Sequence, residues 1–344
     1  MRLTQLLSRA GLLAFARQAG TILVTLLGLL VLTFAIGRMM PVDPVRAIVG
    51  EEADPATYSQ VYEELGMDRP VHVQFANYLG DVVRGDFGTS LRTGQPVAAD
   101  IVAVMPATIE LATFAILFGA GFGIPLGVWA AVRKNRPTDH IVRVVTLLGH
   151  SMPIFWTGMI GLIVFYAVLG WVGGGGRVSD FYDGLVEPRT GFLLIDAALA
   201  GDWDVFWDAV NHLVLPASIL GLASLAYITR MTRSFMLDQL DQEYVTTARV
   251  KGLSFGRTIW GHAFANIRVQ LVTIVALAYG GLLEGAVLIE TVFSWPGFGQ
   301  YMTNNMLTGD MNAVMTCVLL VGVIFIALNL LSDLLYKVFD PRTR

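Results

Sequence analysis

Six stretches of this chain are apolar for roughly 20 residues or more, the length an α-helix needs to cross the hydrocarbon core of a bilayer. They lie at Thr21–Ile36 with its flanks (Ala19 to Met40), Met105–Val132, about Ile141–Gly170, about Val210–Thr229, about Val269–Val292 and Ala313–Leu335. Lipid offers no partner to an unpaired backbone group, so runs of this length read as helices, each closing its own hydrogen bonds. The expected fold is therefore all-α and polytopic, with six transmembrane helices. The charge content agrees: 15% of the 344 residues are charged and 55% are hydrophobic, against about 25% charged in a soluble domain.

Several chemistries are excluded at once. The formal net charge is −4, which argues against a nucleic-acid partner. Cys317 is the single cysteine, so neither a disulfide within the chain nor a cysteine metal site can form. The sequence holds no CxxC, no HExxH and no GxxxxGK[ST] phosphate loop. If ATP drives this protein, another chain must bind it. Glu110, His212, Glu284 and Glu290 are scattered among the spans, whereas a membrane-embedded enzyme needs its groups clustered. His212 has no second histidine or acid cluster at ligand spacing, so no metal site is assigned there.

The segments between the runs differ in character. Residues 1–20 carry Arg2, Arg9 and Arg17 and no acid, and read as a basic amphipathic helix lying on the membrane. Residues 41–103 form a first long polar loop with ten acids and four bases. Helical patterning around Thr57–Leu65 and Val73–Val83 predicts a small folded element there. The second run contains Pro125, flanked by Gly121, Gly123 and Gly127, a combination that predicts a kink. Glu110, about one turn inside, faces either interfacial water or the bundle. In the third run Pro153 allows a bend, and Phe155 and Trp156 either pack or line a path. Residues 172–208 form a second polar loop with seven acids and two bases. Pro296, Gly297 and Gly299 predict a tight or re-entrant turn between the last two spans, and residues 339–344 a short tail.

Lys and Arg beside the spans set the orientation. The segments before the first span, between the second and third, between the fourth and fifth, and after the sixth hold 3, 4, 6 and 3; the intervening ones hold 4, 2 and 0. The positive-inside rule places both termini, and the segment 230–268, in the cytoplasm. In that segment Asp238 to Lys251 lacks Gly and Pro, and Gly252 follows. This is the pattern of a short helix ended by a residue that tolerates a left-handed conformation.

Thr246-Thr247-Ala248, three residues, then Gly252 resembles the EAA-type coupling loop of ABC importer permeases, with Thr246 where that pattern has Glu. The string from Tyr244 to Leu253, with His262 and Asn266 beyond it, is similar to the dipeptide/oligopeptide/nickel branch. So are PVDP at 41–44 (Val42 where Gly is usual), LGMDRPVHVQF at 65–75, GDFGTS at 85–90, HLVLPASILG at 212–221, ETVFSWPGFGQ at 290–300 and DPR at 340–342. The resemblance covers most of the chain, from Pro41 to Arg342.

The resemblance implies a type I ABC importer permease in a bacterial inner membrane. Its partners would be a second, homologous permease subunit, two ATP-binding subunits and an extracytoplasmic solute-binding protein. ATP and Mg would sit on the ATPases, with no cofactor on this chain. The coupling helix would dock on an ATPase through Glu243, Tyr244, Thr246, Thr247, Ala248, Lys251 and Gly252, the small residues 246–248 letting it seat closely and Gly252 turning the chain back. Peptides are the expected solute; nickel chelates and glutathione-like compounds are the alternatives. An autonomous channel or secondary carrier would need broken helices in two matching halves, and no partner for Pro125 and Pro153 stands in the second half.

Overall fold

The computed structural model describes residues 9–39, 43–50 and 52–339. The expected features at residues 1–8, at Pro41 and Val42, and in the tail from residue 340 lie outside them. In chain order the helices are α1 (Arg9–Met39), α2 (Pro44–Val49), α3 (Pro55–Glu64), α4 (Val71–Arg84), α5 (Val97–Val132), α6 (Pro137–Ser151) and α7 (Ile154–Gly161). A π-helix, Leu162–Val168, continues α7. Then come α8 (Leu193–Ala200), α9 (Trp203–Leu240), α10 (Glu243–Val250), a second π-helix (Arg257–Ala263), α11 (Phe264–Val292), α12 (Phe298–Thr308) and α13 (Met311–Phe339). Among the described residues there is no strand, only an isolated bridge between Thr89 and Pro96.

Five helical stretches are long and apolar enough to cross a membrane: 16–37, 97–132, 203–240, 257–292 and 311–331. α6 and α7 with its π-helical continuation pass the same test only when taken together, as a broken span or a re-entrant loop bent by 95°. The expected single run from Ile141 to Gly170 is thus broken at Met152–Pro153. Met152 is extended, with φ −83° and ψ 134°, as a residue before proline prefers, and Pro153 has no N–H to continue the ladder. Several boundaries also move outward from those expected. The helix of the second span begins at Val97 rather than Met105, and that of the fourth at Trp203 rather than Val210. No break marks residue 20, because α1 runs unbroken from Arg9.

The chain divides into two units. The first comprises the described residues up to 104 with 301–327. Its small helices start as their sequences dictate. Asp54 accepts from Ala56 N (2.6 Å) and Thr57 N (2.8 Å), and Pro55 occupies the first turn of α3. Those amide bonds hold the Asp54 carboxyl below its ordinary pKa. On α1, Phe34 meets Phe75 and Tyr78 of α4 with ring centroids 5.3 and 5.9 Å apart. The GDFGTS string ends in a buried polar joint: Asp310, fully buried, accepts from Ser90 Oγ (2.7 Å), Leu91 N (2.6 Å) and Ala313 N (3.1 Å). One carboxylate thereby caps α13 and anchors the loop before α5.

The second unit comprises 105–300 with the chain from 328. Leu111, Leu220, Ile289, Phe293 and Trp295 lie in its core. The seam between α5 and α9 is made by glycines four residues apart. A Cβ at Gly127 would stand 2.6 Å from Thr232 Cβ and 2.7 Å from Thr229 O. One at Gly123 would be 3.1 Å from Leu225 O, and one at Gly119 would run into the Ser224 side chain. From α9, Gly221 faces Ala115 O in the same way, at 2.7 Å. This is small-residue packing of the kind that lets membrane helices approach closely where the hydrophobic effect gives no drive. Of the glycines around Pro125, Gly123 and Gly127 serve the helix contact while Gly121 faces open space, and α5 continues through the proline.

Candidate functional site at the coupling helix

The segment after α9 folds as expected and stops as expected. Asp241 ends α9, and α10 follows at Glu243. At its end Leu253 N donates to Ala248 O (3.2 Å) and Gly252 N to Arg249 O (3.0 Å), with Gly252 at φ +82°. That pair of bonds around a left-handed residue is the Schellman motif. Glu243 sits in the first turn and Arg249 in the last, which matches both ends of the helix dipole.

Helical spacing divides α10 into two faces. Val245 and Ala248, three residues apart, are 4% and 8% exposed. Val245 joins a cluster of Val128 and Ala131 from α5, Met236 from α9, Ile259 and Ala263 from the second π-helix, and Ile267 and Leu271 from α11. Tyr244 is half-buried and its hydroxyl donates to Gln239 Oε1 at 2.9 Å. Glu243, Thr246, Thr247, Lys251 and Gly252 are exposed. Ala248 differs in exposure from most of the residues expected at the contact. Ala248, at i+3 from Val245, is buried on the inner face of α10. Arg249 and Val250 are exposed beside the expected residues. Val250 is 83% exposed, and Arg249 holds its guanidinium 5.7 Å from the Phe255 ring centroid. The signal for both was available as the same 3.6-residue period.

Polar links tie this end of the unit together. Lys134, in the turn after α5, reaches Asp241 at 3.4 Å. Asp139, fully buried in the first turn of α6, accepts from Arg233 Nε (2.6 Å) and Nη2 (2.8 Å) and from Asn135 N (3.0 Å). A bidentate guanidinium–carboxylate pair of this kind is geometrically specific.

At the other end of the unit, Glu110 faces the bundle rather than water. It pairs with Arg177 (2.5 Å) and accepts from Leu194 N (3.1 Å). Arg177 also donates to Gly191 O, and its guanidinium lies 5.9 Å from the Trp295 ring. Glu290 accepts from Thr108 Oγ1, Gly299 N and Gln300 N. Two acids of the second polar loop are consumed in the same way. Asp196 accepts from Thr190 and Gly191, and Asp208 from Ser179. Burial alone would raise the Asp196 carboxyl, but its hydrogen bonds outweigh that and hold it below the ordinary range. His212 is buried with Nδ1 2.9 Å from Asp208 O. Glu284 is exposed.

The Gly252 geometry carries a prediction. A Cβ there would meet nothing within 4 Å, so substitution acts through the backbone alone. A left-handed non-glycine residue costs about 1–2 kcal/mol, and Asn tolerates it better than Val. Gly252→Val is expected to lower uptake by about 5–30-fold, the ratio that 1–2 kcal/mol represents, at unchanged abundance in the membrane. Gly252→Asn should stay near wild type. Equal loss in both variants, in a labelled-solute uptake assay, would mean that side-chain size rather than φ is limiting.

Two family models match the chain. The "Binding-protein-dependent transport system inner membrane component" model covers residues 123–344, and its N-terminal companion covers 12–112. The chain is 43% identical to the di/tripeptide transport system permease protein DppB of Pseudomonas aeruginosa over 330 residues, 96% of this chain and 98% of the relative. It is 43% identical to the dipeptide transport system permease protein DppB of Escherichia coli, covering 95% and 97% of the two chains. It is 42% identical to the probable D,D-dipeptide transport system permease protein DdpB of Escherichia coli, covering 92% of each. With the larger model spanning well over half of its length and such relatives aligned nearly end to end, this chain belongs to the family of inner membrane components of binding-protein-dependent transport systems.

Proposed function

We propose that this chain forms one half of the translocation path of an ATP-driven importer for di- and oligopeptides. A second, homologous permease subunit completes the path. Two ATPase subunits carry ATP and Mg and dock on the cytoplasmic face, and a solute-binding protein delivers the peptide from the other side. Both termini lie in the cytoplasm, in keeping with the placement of Lys and Arg. The observation that carries this reading is the two-faced α10, which is polar and open on one side and seated on four helical elements on the other. The outer contact residues are Glu243, Thr246, Thr247, Arg249, Val250 and Lys251, with Tyr244 at the edge and Gly252 setting the exit. A force on that face passes through Val245 and Ala248 to α5, α9 and α11 together. ATP binding then needs only a few kcal/mol of preference for one arrangement to shift the population of inward- and outward-facing states. The peptide assignment follows the relatives, whose names specify dipeptide or di/tripeptide transport.

The test is uptake of labelled di- and tripeptides in cells carrying the full neighbouring gene set, with and without this chain, with nickel in parallel. Loss of peptide uptake alone supports the reading. Loss of nickel uptake alone would keep the importer and overturn the solute.

A further inference from the structure

Glu284 lies on a membrane span, about 12 Å by helical rise from the end of α11 at Val292. Its side chain is exposed, and among the described residues it makes no ion pair. The other two span carboxylates of this unit's far end, Glu110 and Glu290, are buried and fully engaged. An ionisable group at that depth is costly against lipid, and faces a water-filled cavity or a partner charge. Leu277, Gly281, Glu284 and Leu288 share one exposed face of α11 at helical spacing. Gly281 opens onto empty space, with nothing within 4 Å of a Cβ placed there. It lines a cleft of about 290 Å³ with Ser224 and Tyr227 of α9. Tyr227 also lines a second cleft, of about 480 Å³, between α6 and α9. There Arg230 stands exposed, its guanidinium 6.0 Å from the Tyr227 ring. Of the arginines in that cleft, Arg143 and Arg233 have Asp139 as counter-ion, while Arg230 has none among the described residues.

We propose that Glu284, Tyr227 and Arg230 form one wall of the solute path, on which Glu284 receives the terminal ammonium of a zwitterionic peptide and Arg230 its carboxylate. This rests on the importer reading and adds where the solute touches this chain. Two charges of opposite sign stand without a counter-ion among the described residues: Arg230 in the larger cleft, and Glu284 on the helix face of α11 about one turn beyond Gly281 of the smaller. With Tyr227 lining both clefts, they complement a molecule that carries an ammonium at one end and a carboxylate at the other. Neither charge is used by the packing of the chain, in contrast to Glu110, Asp139 and Glu290.

The test uses the complete importer in cells, with labelled dialanine as solute. Glu284→Gln and Arg230→Gln should each lower the maximal uptake rate at least tenfold, with abundance and co-purified ATPase unchanged. Glu284→Asp, which keeps the charge, should recover most of it. In parallel, Glu284→Cys is treated with a membrane-impermeant cationic thiosulfonate; the native Cys317 is buried, so reaction reports the new position. Reaction in the assembled importer, slowed by saturating dialanine, is expected. Uptake by Glu284→Gln within twofold of wild type would overturn the proposal. So would Glu284→Cys that reacts in this chain alone but is protected in the importer, since that places it against the second permease. If wild type itself fails to import dialanine, the peptide reading and the ammonium assignment fall together, whereas the labelling still decides whether Glu284 borders water.

Discussion

Replacing Arg233 with alanine is expected to destabilise the second unit by about 3–5 kcal/mol, the usual cost of leaving one member of a buried ion pair alone. Asp139 is fully buried and Arg233 is 20% exposed on its side chain. Coulomb attraction at this separation does not by itself make the pair stabilising, because both charges lost water when the chain folded. The consequence lies in the asymmetry. Removing Arg233 strands a carboxylate that retains only Asn135 N at 3.0 Å and the more distant Arg143 at 3.7 Å. Asp139→Asn alone should be milder, because the amide still offers one acceptor oxygen. The double variant Asp139→Asn with Arg233→Ala should recover much of the loss, because no charge then remains unpaired. The measurement is the thermal unfolding midpoint of the detergent-purified importer for both singles and the double. Additive losses would show that the two side chains act separately. Uptake should fall with the singles as well, because this pair ties the start of α6 to α9 about two turns before α9 ends at Leu240.

That pair also shows where sequence reading stops. Five of the six apolar runs, the two small helices in 41–103 and the stop at Gly252 are local features, set by composition, capping residues and a glycine, and stand in the structure near their expected places, while the third run is broken at Pro153. Asp139 is a single acid in a turn with Arg133, Lys134, Arg136 and Arg143, and reads as a solvated charge; its partner lies 94 residues on. Glu110 and Arg177, 67 residues apart, are hidden for the same reason. Period and spacing say which face of a helix a residue occupies, but not which other helix covers that face. The glycines of α5 make the point in another way. Taken with Pro125 they suggest a bend, whereas the four-residue spacing of Gly119, Gly123 and Gly127 is what α9 packs against. On α10 the 3.6-residue period alone places Ala248 inward with Val245 and Arg249 and Val250 outward, whereas the order of residues in a motif says nothing of their angle around the helix.

Glu290→Ala is expected to cost about 2–6 kcal/mol, from two buried amides at about 1–3 kcal/mol each when left without a partner. Glu290 is fully buried. Its Oε2 accepts from Gly299 N (2.6 Å) and Gln300 N (3.1 Å), and its Oε1 from Thr108 Oγ1 (2.6 Å). Thr108 in turn accepts from Phe298 N at 2.8 Å. Three successive amides at the start of α12 therefore depend on one carboxylate and one hydroxyl, at the helix end where negative charge is favoured. The site leaves no room for another arrangement: a Cβ at Gly297 would stand 2.5 Å from Glu290 Cδ, and one at Gly299 the same distance from Val287 Cα. Two conservative variants rank the contributions. Glu290→Gln keeps one oxygen for the amides but aims an NH2 at Thr108 or at Gly299, so it should lose about half of what alanine loses. Thr108→Val strands Phe298 N and also removes the donor to Glu290 Oε1, so it should cost about 2–6 kcal/mol, from two groups at about 1–3 kcal/mol each. Unfolding midpoints of the purified importer should be lowest for Glu290→Ala and Thr108→Val and closer to wild type for Glu290→Gln, with abundance in the membrane as a second measure. If Glu290→Gln instead matched wild type, the carboxylate charge would be dispensable and hydrogen-bond geometry alone would hold the turn that joins α11 to α12.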